Sequence, residues 1–425
     1  MKKVLIITYY WPPAGGPGVQ RWLKFVKYLR DFGVEPIVYI PENPNYPIID
    51  EAFLYEIPEV VKIYKQPIFE PYKLASIFSS KKTKQISSGI IQTKNQSTAE
   101  KIMLWIRGNV FIPDARKYWI KPSIKFLETI IEKEAVETII TTGPPHSVHL
   151  IGLGLKRKLT LNWLADFRDP WTTIGYHKKL KLTASSEKKH KNLERTVLNM
   201  ADKIIVTSAT TKREFNAITA KPIEVITNGF DTNIASTETF TLDTDFTISH
   251  IGSLLTGRNP KNLWRVLSEL AHENNAFKNA LKLNLIGVVS DDVLETIKNL
   301  GLEPFVELLG YVSHEKALVY QKKTQILLLA EIDSEETSGI IPGKLFEYMA
   351  SKRPILALGP KNWEAGNIVV ATQTGNFFNY SEESELKQVI LNWFKLYQKN
   401  QLTVNSRGIQ QYHRKELTQK LAKLL

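Results

Sequence analysis

The chain has 425 residues, with 56 Lys+Arg against 43 Asp+Glu, a formal net charge of +13 and no cysteine. At roughly 100–200 residues per domain the length calls for two or three domains, and 43% hydrophobic with 23% charged residues excludes wholesale disorder. The lack of cysteine removes a disulfide framework, a thiolate metal site and a cysteine nucleophile together, and no run approaches the roughly 18 apolar residues of a membrane-spanning helix.

From the amino terminus, Met1–Thr8 carries an apolar run that is too short for a signal peptide and meets Trp11-Pro12-Pro13 at once. It is expected to be a first buried strand, and the chain is expected to stay in the cytoplasm. A glycine-rich turn follows, then Val19–Phe32, apolar at Val19, Trp22, Leu23, Val26 and Leu29, which is one face of a helix. Gly33 suits its C-terminal end, and Pro36–Ile40 reads as the next strand. Residues 72–98, rich in Ser, Lys, Gln and Thr without apolar periodicity, read as a surface excursion.

Further strands are predicted at Glu137–Thr141, Leu161–Asp166, Lys203–Thr207 and Ile223–Ile226. The polar stretch Asp231–Asp245 is the best linker. The pattern then restarts with strands at Thr247–Gly252, Leu281–Ile286, Phe305–Leu309, Gln325–Leu329 and Pro354–Leu358, and Gly408–Leu425 is a basic helix candidate. Strands separated by helices imply parallel units. The fold class is therefore α/β, with two doubly wound domains: residues 1–235, a linker at 236–246, residues 247–407, and a C-terminal helix 408–425 packing back on the first domain.

The charge is uneven across this plan. Residues 1–240 hold 35 basic and 23 acidic side chains, a net +12; residues 241–405 hold 16 and 19, a net −3; residues 406–425 hold 5 and 1, a net +4. A basic surface attracts anionic lipid, nucleic acid or phosphorylated substrates.

Five stretches could carry chemistry. Tyr9-Tyr10-Trp11-Pro12-Pro13-Ala14-Gly15-Gly16 follows the first strand, and its glycines let backbone approach a ligand ahead of a helix N-terminus. Their spacing is not a dinucleotide fingerprint, and a tight turn is the plain alternative. Thr141–His149 follows another strand and puts His146 at the functional edge, with His149 one turn on. In Ala165–Trp171, Asp166 and Asp169 flank Arg168, either to position sugar hydroxyls or to clamp the loop; no acid–base pair is assigned. Gly252, Ser253 and Arg258 form a small-residue loop with a guanidinium, suited to phosphate. Ser338–Ala350 is the most specific: Lys344 and Glu347 share one face of a helix behind a glycine-rich loop, a pair able to take a diphosphate and ribose hydroxyls. The acidic run Glu331–Glu336 is expected to be a solvated loop.

With these motifs the chain resembles the retaining, GT-B-fold glycosyltransferases of the group 1 or family 4 type. The resemblance rests on the Tyr-Trp-Pro-Pro…Gly15-Gly16 opening, on Asn228-Gly229-Phe230-Asp231, and on Gly343-Lys344-Leu345-Phe346-Glu347-Tyr348-Met349-Ala350. It implies two Rossmann-like domains facing a cleft, a nucleotide-sugar donor (UDP- or GDP-linked) held mainly by the second domain, and no metal or resident cofactor. By position, Gly252, Ser253, Gly343, Lys344 and Glu347 would hold the nucleotide, with Arg258 and Lys344 neutralising the leaving diphosphate. Gly15 and Gly16 would approach the donor phosphates or the acceptor, His146 would contact the transferred sugar, and Asp166, Arg168 and Asp169 are candidate acceptor or sugar contacts. The family commonly has a glutamate eight residues before Glu347, where this chain has Gly339, and Lys261 follows Arg258 sooner than usual. The acceptor expected is a saccharide or lipid-linked saccharide at an anionic membrane surface, with Trp105, Tyr118 and Trp119 as candidate exposed aromatics. The alternatives are an epimerase or phosphorylase on the same fold, or a non-enzymatic polyanion binder; signatures for nucleic-acid binding are lacking.

Overall fold

A computed structural model describes residues 1–71, 98–231 and 240–425. Residues 72–97 of the surface excursion and 232–239 of the linker lie outside the described residues. The chain divides into two compact units, Met1–Asn228 with Arg414–Leu425, and Gly229–His413.

The first unit is built on seven parallel strands: β1 (Lys2–Thr8), β2 (Val34–Pro41), β3 (Lys62–Gln66), β4 (Thr138–Gly143), β5 (Asn162–Phe167), β6 (Lys203–Val206) and β7 (Ile223–Val225). Their order is β3-β2-β1-β4-β5-β6-β7. Helices cover both faces, so the central strands must be apolar on both sides, and Val4–Ile7 are all fully enclosed. The helix Pro17–Leu29 buries Val19, Trp22, Leu23, Val26 and Leu29. Each such side chain contributes about 1.5–3 kcal/mol. A 3-10 turn, Arg30–Phe32, and Gly33 at φ 77° end it. The strand that sequence periodicity does not reveal is β3, a half-exposed edge strand reading Lys-Ile-Tyr-Lys-Gln.

The C-terminal segment is not one helix. Ile409–Tyr412 is a separate 3-10 turn behind Gly408 at φ 65°, and the α-helix runs Arg414–Ala422. That helix packs on Pro17–Leu29, burying Leu417 and Leu421, with Arg414 Nη2 donating to Gln20 Oε1 at 2.9 Å.

The second unit has six parallel strands: β8 (Phe246–Ile251), β9 (Leu281–Ile286), β10 (Val306–Gly310), β11 (Ile326–Ala330), β12 (Ile355–Gly359) and β13 (Gly375–Asn379), in the order β10-β9-β8-β11-β12-β13. Strand β13 also escapes sequence patterning. It opens on Gly375, where a Cβ would fall 1.9 Å from the Ile355 carbonyl oxygen.

Both sheets reverse their direction of growth once, between β1 and β4 and between β8 and β11. Crossovers leave such a switch point on opposite faces and open a crevice at the carboxyl ends of those strands. The candidate residues of both units lie there.

Candidate functional site

In the second unit β8 is followed by Gly252, at φ 118°, whose N–H donates to Ile286 O at 2.7 Å. A Cβ on Gly252 would sit 2.9 Å from Lys344 Nζ, so the lysine ammonium lies against bare backbone. Lys344 opens the helix Lys344–Ala350, and Tyr348 ties that helix to β8 by accepting the Ile251 N–H at 3.0 Å. The helix has only seven residues. Lys344 itself, more than the dipole of so short a helix, is the positive group here.

Burial, followed by the nearby Arg258, pulls the Lys344 ammonium down to about 8, against the opposing pull of Glu331 and Glu347. His250 lies on the other side, its Nε2 3.4 Å from Nζ while its Nδ1 meets Leu328 O at 3.1 Å. Burial holds His250 neutral, well below its ordinary range. A neutral ring whose Nδ1–H is taken by a carbonyl leaves a lone pair on Nε2 for the ammonium.

Arg258 is not a free cation. Its Nε and Nη2 donate to Glu331 Oε1 and Oε2 at 2.9 and 3.2 Å, and Glu331 also accepts the Ile332 N–H at 2.9 Å. The expectation of a solvated acidic loop fails at its first residue: Glu331 is fully buried directly after β11. It anchors the guanidinium in a bidentate pair. Glu347 is partly exposed, with Oε2 accepting from Gln321 Nε2 at 3.0 Å and Oε1 3.9 Å from His314 Nε2. Ser253 is exposed beside Gly252. Thus Gly252, Arg258, Lys344 and the neighbouring Glu347 converge on one switch point, with His250 and Glu331 as partners that sequence reasoning missed.

In the first unit the β1 loop is pinned by its neighbour: Gly15 N–H donates to Ile48 O at 3.0 Å, and Asp50 N–H to Pro13 O at 2.8 Å. Gly15 has a role, since a Cβ would meet Ile48 Cγ2 at 2.9 Å, whereas Gly16, at φ 106°, faces open space. Arg168 closes over the same loop. A Cβ on Gly18 would overlap its Nη1, and its guanidinium donates to the carbonyls of Gly143 and Pro144. Arg168 therefore clamps the β1 and β4 loops.

Asp166 has no room for a ligand. It is fully enclosed, accepting from Arg21 Nη2 (3.1 Å), Trp22 Nε1 (2.8 Å) and Thr142 Oγ1 (2.8 Å). The expectation of an acceptor contact gives way to a structural hub joining β5, β4 and the first helix. Asp169 is partly exposed, and burial raises its carboxyl against the lowering influence of Arg168.

His146 sits at the end of the β4 loop with its ring stacked 4.8 Å over Trp171, and neither ring nitrogen has a partner among the described residues. Burial, with His149 next, keeps it neutral far below the ordinary histidine range. His149 is different: its Nδ1 bonds Thr141 Oγ1 at 2.9 Å inside the core, and burial pushes it down to about 3. The following helix, Ser147–Lys158, is capped from far along the chain by Asp114, which accepts Ser147 N–H and Oγ–H at 2.8 Å each. Of the aromatics suggested as exposed, Trp105 and Tyr118 are, but Trp119 is core, stacked on Tyr39 at 5.0 Å. No group of metal-ligating side chains occurs among the described residues.

Residues 94–234 match the family model Glycosyltransferase Family 4. Over that third of the chain the sequence is similar to a glycosyltransferase domain. The match covers β4 to β7, and with them His146, Asp166, Arg168 and Asp169. No protein of curated function matches the sequence. Solved structures share the fold of the whole chain. It is similar to S. aureus TarM, in a complex that contains UDP, at 15% identity and TM-score 0.60 over 100% of this chain and 99% of that one. It also resembles sucrose-phosphate synthase from Thermosynechococcus elongatus (12%, 0.58, 100% and 94%) and Anabaena HepE in complex with UDP-glucose (15%, 0.55, 100% and 95%). The two parallel-sheet α/β units have the GT-B-type fold of these structures. The Lys344 cluster lies outside the Glycosyltransferase Family 4 match, so its chemistry rests on geometry.

Proposed function

We propose that this glycosyltransferase moves a sugar from a UDP- or GDP-linked donor to a saccharide or lipid-linked saccharide acceptor, with retention and without a metal, in cell-surface polysaccharide or glycoconjugate synthesis. One observation carries the reading: the Lys344 ammonium, packed on the Gly252 backbone at the second switch point, next to Arg258. A buried, partly neutralised lysine against bare backbone fits an anionic group that arrives, restores its charge and departs.

In this reading Lys344 and the open part of the Arg258 fork take up the charge that grows on the departing diphosphate as the anomeric bond lengthens. Glu347, near His314 and already hydrogen-bonded to Gln321, accepts ribose hydroxyls. The Ser338–Ile341 backbone replaces the family's missing first glutamate at Gly339. From the first unit, Gly16 offers unobstructed backbone and His146 a neutral ring that can donate and accept hydrogen bonds without carrying charge. Asp169 remains the candidate carboxylate for an acceptor. UDP in the TarM complex and UDP-glucose in the HepE complex favour a uridine donor. The donor is a substrate and no resident cofactor is invoked. The basic first domain supports a reading in which the enzyme works in the cytoplasm, on the inner face of the cell membrane.

Thermal-shift measurement with UDP, GDP and dTDP identifies the donor, because a ligand of the folded state raises stability by mass action. The expected result is a shift with UDP or GDP. Incubating the matching nucleotide sugar should then release free nucleotide only when an acceptor is present. Release without acceptor would point to the epimerase or phosphorylase reading, and no shift with any nucleotide would sink both.

A further inference from the structure

We infer that the helix Thr98–Asn109, with the segment leading to Lys121, is a docking surface for an anionic lipid bilayer. This helix is apolar on its outer face as well as its inner one. Its inward face is made by Leu104 and by Gly108, where a Cβ would run into Leu180 and Leu182. Its outward face carries Ile102, Trp105 and Ile106, at 53%, 45% and 36% exposure. These positions are three and four apart and form one stripe. The stripe continues into exposed Val110 and Tyr118, and Tyr118 packs edge-on to exposed Phe69 at 5.6 Å. A contiguous exposed apolar patch with aromatic members marks an interaction site rather than an ordinary surface.

Charge selects the partner. From Thr98 to Lys125 there are six basic residues and two acids, Glu100 and Asp114, and Asp114 is turned inward to cap the helix at Ser147. Lys101, Lys121 and Lys125 are exposed around the patch, and Lys117 Nζ lies 5.2 Å from the Tyr118 ring. Each cation at an anionic leaflet contributes about 1 kcal/mol, and Trp and Tyr favour the headgroup level. A second exposed apolar set in the same unit, Ile48, Ile49, Leu54, Tyr55 and Val60, is interleaved with Asp50, Glu51, Glu56 and Glu59. An anionic surface repels that set, so the two patches are distinguished by charge alone.

The inference rests on the membrane placement proposed above and assigns it to particular side chains. The full chain is mixed with vesicles of phosphatidylcholine plus phosphatidylglycerol, or of phosphatidylcholine alone, and sedimented at low salt. Wild type is expected to pellet with the anionic vesicles only. The double variant Ile102→Asp/Trp105→Asp should bind at least tenfold more weakly, with its nucleotide-induced thermal shift unchanged. Brominated lipid should quench the fluorescence of wild type more than that of Trp105→Phe. Equal binding to neutral vesicles would overturn the proposal, as would a double variant that pellets like wild type. A third contrary result is a wild-type dimer that ignores vesicles and becomes monomeric in the double variant, since the face would then belong to a second copy. Loss of the nucleotide shift in wild type would instead count against the glycosyl-transfer reading and leave the patch standing.

Discussion

In the first unit Arg21 meets Asp166 with 2% and 0% of the side chains exposed, whereas in the second Arg258 meets the equally buried Glu331 with 34% of its own side chain open to solvent. Both pairs stand at the carboxyl ends of sheet strands, close to where chain order reverses. The first is sealed on every side by Trp22, Thr142 and the Thr227 carbonyl. The second has carboxylate on one side and water on the other. An arginine–carboxylate pair therefore serves different ends: a sealed pair fixes loops, and a half-open pair holds a guanidinium ready for a ligand.

Removing a carboxylate from each pair gives the largest contrast. Asp166→Asn leaves Arg21 charged and buried, a loss of about 3–5 kcal/mol for a broken internal ion pair. Glu331→Gln frees a guanidinium that can reach water, and about 1–2 kcal/mol is expected. Urea unfolding of the two variants measures both. Equal losses would mean that Glu331 is as structural as Asp166, and the distinction between the sites would fall.

Next in size is the effect on the nucleotide. Lys344→Ala should weaken UDP binding about a hundredfold, roughly 2.7 kcal/mol for a buried charge-assisted contact. His146→Ala should leave UDP affinity within about twofold and lower turnover instead, because the neutral ring in the first unit is proposed to meet the sugar. Calorimetric titration with UDP separates them. If His146→Ala costs as much affinity as Lys344→Ala, the nucleotide is not held mainly by the second unit.

These contrasts were only half legible in the sequence. Lys344, Glu347 and Gly252 were legible because a glycine-rich lead-in to a helix is a local signal. Glu331 and His250 were not: each matters through a partner 73 or 94 residues away, and a carboxylate at the head of an acidic run looks solvated. Asp166 is conspicuous at a strand end, but its role depends on Arg21 and Trp22, nearly 150 residues earlier. Central strands announced themselves as continuous apolar runs, while β3 and β13, two of the four edge strands, carry mixed residues that periodicity cannot separate from loops. The lobe with net −3 holds the cations best placed for a phosphate, so the +12 of the first half is not needed there, and the proposed bilayer contact around Trp105 would use it.

The smallest effect tests the same contrast through pH. Lys344 is charged below its value of about 8 and neutral above it. A bound diphosphate favours the charged form, so binding above pH 8 must take up one proton. The terminal phosphate of UDP, with a second pKa near 6, is already fully ionised there, so the lysine alone sets the slope. UDP affinity should thus be level from about pH 7 to 8 and fall by up to about tenfold, 1.4 kcal/mol, for each further unit. Lys344→Arg should remove this limb, since guanidinium stays charged across the range. Replacing His250 with Leu removes the lone pair that accepts from the ammonium, so the limb should move to lower pH. In the first unit the opposite holds: His146 is neutral throughout this range and should add no limb near pH 6.5 to turnover. A histidine-like limb abolished by His146→Gln would show that the first unit, too, works through a titrating charge, and the division between a neutral lobe and a charged one would have to be given up.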